Sequence, residues 1–234
     1  QAPYVLDAVT ECGKAGVKFL IVITSGFAEV GNIEGEQKIV EEAKKYGMRV
    51  LGPNVFGIYS AKADINATFG PAYVKKGSIA IITQSGALGI AMIGKTAAEG
   101  LGLSAMVSVG NKSDIHEGDL LGYLSDDENT KVILMYIEGV KDGEMFIDAI
   151  KKTAKKKPVV VLKSGWSKRG AMAAASHTSS LAGEDVVFDA IARQCGALRA
   201  TNLEEAFNWC RFLSDTTLPA GENAVIVTNG GGIG

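Results

Sequence analysis

The sequence predicts an α/β protein made of tandem doubly wound parallel-sheet domains. Short apolar runs rich in valine and isoleucine, such as VKFLIVIT at 17–24 and PVVVLK at 158–163, have the length of strands buried on both faces. Stretches with apolar residues at helical spacing lie between them. Glycine is abundant, at 29 residues, and recurs at the ends of the apolar runs, where strand-to-helix turns need it.

Taken in order, residues 4–13 set Val5, Ala8 and Val9 at helical spacing and stop at Cys12-Gly13, a C-cap pattern. Residues 17–24 read as a buried strand, followed by Gly26. Residues 33–46 are acidic early and basic late, the charge order a helix dipole prefers, and Gly47 ends them. A short strand at 48–51 closes on Gly52-Pro53-Asn54. This α-β-α-β series, assigned to residues 1–72, reads as the second half of a Rossmann-like domain. Residues 60–76 contain Asn66, Gly70 and Pro71 with no clear period and read as a linker.

A second series occupies residues 73–217. Strands at 78–83, 103–109, 131–137, 159–162 and 197–200 alternate with helices after 86 and near 118–124, 144–155, 184–194 and 203–213. Five alternations of this kind predict a flavodoxin-like doubly wound domain. Residues 218–222 read as another linker, and 223–228 as the first strand of a further flavodoxin-like domain over 218–234. Both ends interrupt the β/α pattern, so the chain is read as part of a longer polypeptide.

Composition narrows the function. The chain is 47% hydrophobic and 21% charged over 234 residues, enough to bury a sizeable core. A net charge of -2 argues against nucleic acid or an anionic membrane as partner. The basic run at 151–157 sits at a helix end, where cations complement the dipole. Cys12, Cys195 and Cys210 are odd in number and lack metal-ligand spacing, so a reduced, cytoplasmic setting and no metal site are expected. No apolar run reaches the ~18 residues of a membrane span, and no charged-then-apolar leader is recognised.

Chemistry is sought beyond the carboxyl ends of the strands, where open parallel sheets bind ligands. Two turns there look alike: IAII-TQSGALG from Ile79 and AVIV-TNGGGIG from Ala224. Small residues opening a helix let an anion approach its free N–H groups. Each alone is equally a tight turn with a polar cap. Ser85 adds a hydroxyl. His177 lies in AMAAASHTSSLAG, a run of small residues with no core face. It is either an idle histidine or a nucleophile: a neutral imidazole attacks phosphorus near neutral pH. Its second ring nitrogen would then need an orienting carboxylate. Glu138 follows the apolar run of 132–137; it is either the first polar residue of a loop or that acid. His116, between Asp114 and Glu117, reads as a loop histidine. Trp166, Lys168 and Arg169 meet either an anionic substrate or solvent.

Gly-Pro-Asn at 52–54, QSGALG at 84–89, YIEG at 136–139, SHTSSLAG at 176–183 and TNGGG at 228–232 together resemble the NDP-forming acyl-CoA synthetases. The resemblance is greatest to the α part of archaeal-type ADP-forming acetyl-CoA synthetases, relatives of succinyl-CoA synthetase. It runs over essentially the whole chain, and the Ser-His-Thr-x-x-Leu-Ala-Gly block is its most specific part. It implies that acid, CoA and ATP give acyl-CoA, ADP and phosphate through acyl phosphate and phosphohistidine. His177 matches the phosphorylated histidine and Glu138 its orienting glutamate. Ser85, Gly86 and Ala87 match one phosphate-holding helix start, and Asn229, Gly230 and Gly231 the second. Gly26, Phe27, Pro53 and Asn54 fall where the CoA domain meets the acyl site.

The resemblance also implies coenzyme A, ATP/ADP with Mg²⁺ and phosphate as ligands. The partners it implies are a small carboxylic acid, an ATP-grasp domain or β subunit, and an oligomeric complete enzyme. Ser179 stands where relatives often carry glycine, and Val55 where many carry cysteine. The family's CoA-phosphate loop and its ATP-grasp domain are not in this sequence, so the segment is not expected to turn over alone. A succinyl-CoA synthetase-like or citrate-lyase-like enzyme, or a non-catalytic CoA-binding module, would share most of these features.

Overall fold

In the first unit the apolar run at 17–24 is extended only over its middle, as β1 (Phe19–Ile21). It pairs in parallel with β2 (Arg49–Leu51), Leu20 opposite Val50. Helices α1 (Val5–Lys14) and α2 (Ile33–Lys45) flank this two-stranded sheet. Val9, Ile39, Ala43, Met48 and Val50 form its core. The Asn32 side chain caps α2 by accepting from the Gly35 N–H at 3.1 Å. The computed structural model describes residues 1–165, 185–217, 219, 221–223, 225–230 and 232.

The segment expected to be a linker at 60–76 is structured instead. β3 (Gly57–Ser60) and β4 (Ile65–Thr68) form an antiparallel hairpin, and β3 pairs antiparallel with β6 (Leu103–Ser108) of the second sheet. Residues 57–68 thus belong by hydrogen bonding to the sheet that follows them. The sequence hides this hairpin because β4 is mostly exposed and carries no inward apolar row to give a period of two.

The remaining strands are β5 (Lys76–Thr83), β6 (Leu103–Ser108), β7 (Val132–Ile137), β8 (Val159–Lys163) and β9 (Leu198–Ala200). With the hairpin they make a seven-stranded sheet of order β4-β3-β6-β5-β7-β8-β9. The parallel part runs second-first-third-fourth-fifth, the flavodoxin-like order. Helices α3 (Gly86–Ala98), α4 (Glu117–Asp126), α5 (Gly143–Ala154), α6 (Asp185–Gln194) and α7 (Leu203–Asp215) connect and cover it. Alternate residues of β5 face opposite layers. Ala80 and Ile82 pack with Leu121, Phe146 and Phe188, while Ile79 and Ile81 pack with Met92, Ile93 and Phe207. Two covered faces explain why these strands read as unbroken apolar runs.

The strand expected at 223–228 is not formed among the described residues of that stretch. Val225, Ile226 and Val227 are 88%, 72% and 93% exposed; with no strand among the described residues paired to them, β-branched residues alone do not make one. No helix among the described residues is long and apolar enough to cross a membrane.

Candidate active site at the carboxyl ends of the strands

β5 and β7 are neighbours, with Thr83 opposite Tyr136, so Gln84-Ser85 and Glu138-Gly139 emerge side by side. Ser85 caps α3, its Oγ accepting from the Leu88 N–H at 3.3 Å. The Thr83 hydroxyl clasps the same turn: it donates to the Ser85 carbonyl at 2.9 Å and accepts from the Ser85 N–H at 3.2 Å. The Gly86 and Ala87 N–H groups open α3 with no intrahelical partner, an arrangement to which anions are drawn. A side chain at Gly89 would come within 2.5 Å of the Phe56 ring, so α3 seats closely on that aromatic.

Gln84 ties the two turns together. Its N–H donates to the Tyr136 carbonyl at 3.0 Å. Its Oε1 accepts from the Glu138 N–H at 2.9 Å and the Gly139 N–H at 3.3 Å. Lys112 Nζ donates to the same oxygen at 3.3 Å, to the Gly139 carbonyl, and to Glu117 Oε1 at 2.7 Å. Lys112 and Glu117 are both almost fully buried. Burial pushes the Lys141 amine below its ordinary value, Glu36 opposing the shift and Lys112 adding to it. Burial raises the Tyr136 phenol, and the charge of Glu138 raises it further.

The opposite wall comes from the first unit. Asn111 Nδ2 donates to Glu36 Oε2 at 2.8 Å and to Glu29 Oε2, and Asn111 Oδ1 accepts from Asn54 Nδ2 at 3.3 Å. The Glu29 carboxylate also accepts from the Gly26 and Phe27 N–H groups. Burial alone would raise the Glu29 carboxyl; Asn111 and these backbone donors outweigh it and hold it below the usual carboxylate value.

The two walls are stitched together by the stretch after β6. The Asn111 N–H donates to the Pro53 carbonyl at 3.0 Å, and the Ser113 N–H to the Gly52 carbonyl at 3.0 Å. Asp114 accepts from Arg49 Nε at 2.9 Å and from the Val50 N–H at 2.8 Å. Gly110 sits at φ 51°, and a Cβ there would lie 2.3 Å from the Pro53 carbonyl oxygen. Gly110→Ala adds left-handed strain to a backbone clash and is expected to cost about 2–4 kcal/mol. The check is a lowered melting temperature by calorimetry; an unchanged transition would mean the strap yields freely.

Between the walls lies a cleft of about 1200 Å³. Of the residues singled out from the sequence, Asn54, Ser85, Gly86, Ala87 and Glu138 line it. Gly26 and Phe27 line a separate cavity of about 390 Å³ instead. Pro53 serves through its carbonyl, as above. Asn229 and Gly230 are not among the cleft-lining residues. Thr228 nevertheless repeats the Thr83 clasp, its hydroxyl donating to the Gly230 carbonyl at 3.2 Å and accepting from the Gly230 N–H at 3.1 Å. His177 and Gly231 lie outside the described residues, as do Trp166, Lys168 and Arg169. β8, the strand before His177, pairs with β7, Lys163 opposite Ile137.

His116 is a helix cap: its Nδ1 accepts from the Gly118 N–H at 3.1 Å, and Asp119 completes a capping box. Sequence reasoning passed over Gln84, Asn111, Lys112, Glu29 and Glu36. Only their meeting in space gives them a role. The described residues hold no group of three or more His, Cys, Asp or Glu that could bind a metal ion.

Residues 76–213 match the family described as succinyl-CoA ligase like flavodoxin domain. The chain is 56% identical, over its whole length and 51% of the relative's, to the α subunit of acetate–CoA ligase (ADP-forming) I of Pyrococcus furiosus. It is 44% identical to 4-hydroxybutyrate–CoA ligase (ADP-forming) of Nitrosopumilus maritimus, covering 97% of this chain and 34% of that one. A solved structure of dinucleotide-forming acetyl-coenzyme A synthetase 1 from Ca. Korarchaeum cryptofilum, in complex with phosphate and ADP, superposes with a TM-score of 0.96. It has 50% identity and covers all of this chain and 51% of its own. The chain thus spans about half, or less, of the length of these relatives.

Proposed function

The chain belongs to the family of succinyl-CoA ligase-like flavodoxin domains, and from that premise we propose that it is the CoA- and phosphoryl-handling part of an ADP-forming acyl-CoA synthetase. The reaction is acid + CoA + ATP = acyl-CoA + ADP + phosphate. ATP gives its γ-phosphoryl group to a ring nitrogen of His177. The acid's carboxylate takes the group from His177, forming an acyl phosphate and restoring the imidazole. The CoA thiolate then attacks the acyl carbon, and phosphate leaves.

The observation that carries this reading is the pairing of β5 with β7. It sets the Ser85-capped helix start beside Glu138 in one cleft, with β8, the strand leading to His177, next in the sheet. In this reading the Ser85 hydroxyl and the backbone N–H groups of Gly86 and Ala87 receive the phosphate, with the stretch Asn229, Gly230 and Gly231 as the second phosphate-holding helix start. Glu138 accepts the hydrogen of the histidine's other ring nitrogen and fixes its tautomer. Gly26, Phe27, Pro53 and Asn54 border the CoA and acyl groups. ATP and Mg²⁺ are assigned to an ATP-grasp domain or β subunit, as the family resemblance implies. The acid is acetate or another small carboxylic or hydroxycarboxylic acid. The three free cysteines accord with a cytoplasmic enzyme, and we expect the complete enzyme to be oligomeric.

The complete enzyme given [γ-³²P]ATP and Mg²⁺ is expected to acquire acid-labile, base-stable phosphate on the peptide carrying His177. Acid plus CoA should discharge it. Label on another residue, or none, would overturn the reading. A panel of acetate, 4-hydroxybutyrate, succinate and citrate identifies the acid.

A further inference from the structure

The Lys112 ammonium has three hydrogens, and all three are used on acceptors of different segments: Glu117 of α4, the Gly139 carbonyl after β7, and Gln84 Oε1 after β5. Its backbone is held at φ 55°, a left-handed conformation that non-glycine residues seldom take. Lys112 is 4% exposed and Glu117 2%. A buried ion pair is no more stabilising than apolar side chains of the same volume. Apolar side chains could not, however, donate to the Gln84 oxygen. That oxygen receives three hydrogens, from Lys112, Glu138 and Gly139. Through it the ammonium grips both the residue before the Ser85 cap and the backbone of Glu138.

We propose that Lys112, neutralised by Glu117, is a positioning residue for phosphoryl transfer: it locks the Gln84 side chain against the Glu138 and Gly139 amides, and so fixes Glu138 relative to the Ser85 helix start. The inference rests on the function proposed above and adds a requirement that function does not contain. The ion pair acts on the reacting atoms through Gln84 and the 138–139 backbone.

The test uses the complete enzyme and the double variant K112M/E117Q, which removes both charges and leaves neither buried alone. K112M by itself strands Glu117 and is expected to melt well below the parent; the double variant should melt close to it. In the double variant, amide exchange in peptides covering 138–139 should quicken at least tenfold by mass spectrometry, with β7 itself unchanged. The rate of phosphoenzyme formation should fall about 10–100-fold, as loss of an outer supporting contact commonly costs, with KM for CoA and acid within about twofold. Unchanged exchange at 138–139, unchanged labelling despite faster exchange, or a loss confined to KM would each overturn the proposal. Parent enzyme that takes no label at all would instead sink the phosphohistidine reading, and this inference with it. Parent that labels beside a double variant that labels equally fast would sink only the role of Lys112.

Discussion

His177→Asn is expected to lower acyl-CoA synthesis by roughly four to six orders of magnitude, the scale on which losing a nucleophile is felt. Asparagine keeps a polar group of similar reach. Its amide nitrogen, however, shares its lone pair with the carbonyl and cannot take a phosphoryl group. The scheme predicts a sharper result than inactivity. Transfer of the acyl group from acyl phosphate to CoA, with release of phosphate, does not pass through His177. That half-reaction should survive in His177→Asn at close to the parent rate, while labelling from ATP disappears. The pair of assays separates a lost carrier from a damaged cleft. A variant that still labels, or one that loses both activities together with its thermal transition, would contradict the assignment.

Glu138→Gln is expected to cost about 10³–10⁴-fold in phosphoenzyme formation, the loss seen when the carboxylate that orients a catalytic histidine becomes an amide. The change keeps the side chain's size. The backbone at 138 is held by Gln84 Oε1 at 2.9 Å, so the turn should stay where it is. What goes is the negative charge that selects one imidazole tautomer and favours the cation formed as phosphorus is attacked. Acyl transfer from acyl phosphate to CoA should be nearly untouched, as for His177→Asn. Labelling within tenfold of the parent would make Glu138 an ordinary loop residue after all.

Most of the second sheet was legible because its strands are covered on both sides. Val132 to Ile137 and Val159 to Leu162 are all but continuous apolar runs, and they are buried accordingly. Helix bounds came out within a few residues where a cap residue marks them, as Asn202 does by accepting from the Glu205 N–H at 2.9 Å. The β3-β4 hairpin escaped notice because an edge hairpin with exposed residues carries no apolar code. The expected strand at 223–228 had the right residues, but among the described residues none pairs with it. Within the cleft, Glu138 could be picked out because it follows a strand directly, and Ser85 because it opens a run of small residues just past one. Lys112 and Glu117 could not, since a charge five residues from an opposite charge reads as solvated surface until the fold buries both. Asn111 was invisible for a related reason: an amide has no signature in sequence, and its importance lies in reaching Glu29 and Glu36 across the boundary between the two sheets.

The strap from Gly110 to Asp114 bears on how a ligand is greeted. Its bonds to Gly52 and Pro53 run between main chains, and those to Val50 and Arg49 through the Asp114 carboxylate, so the distance between the cleft's walls is set when the chain folds. In the proposed function, an arriving pantetheine arm and acyl group meet a gap already cut to width. The entropy of bringing the two walls together has been spent before they arrive, and less of their binding energy is diverted to ordering the protein. In such a preorganised seat, tight encounter and correct aim are one event.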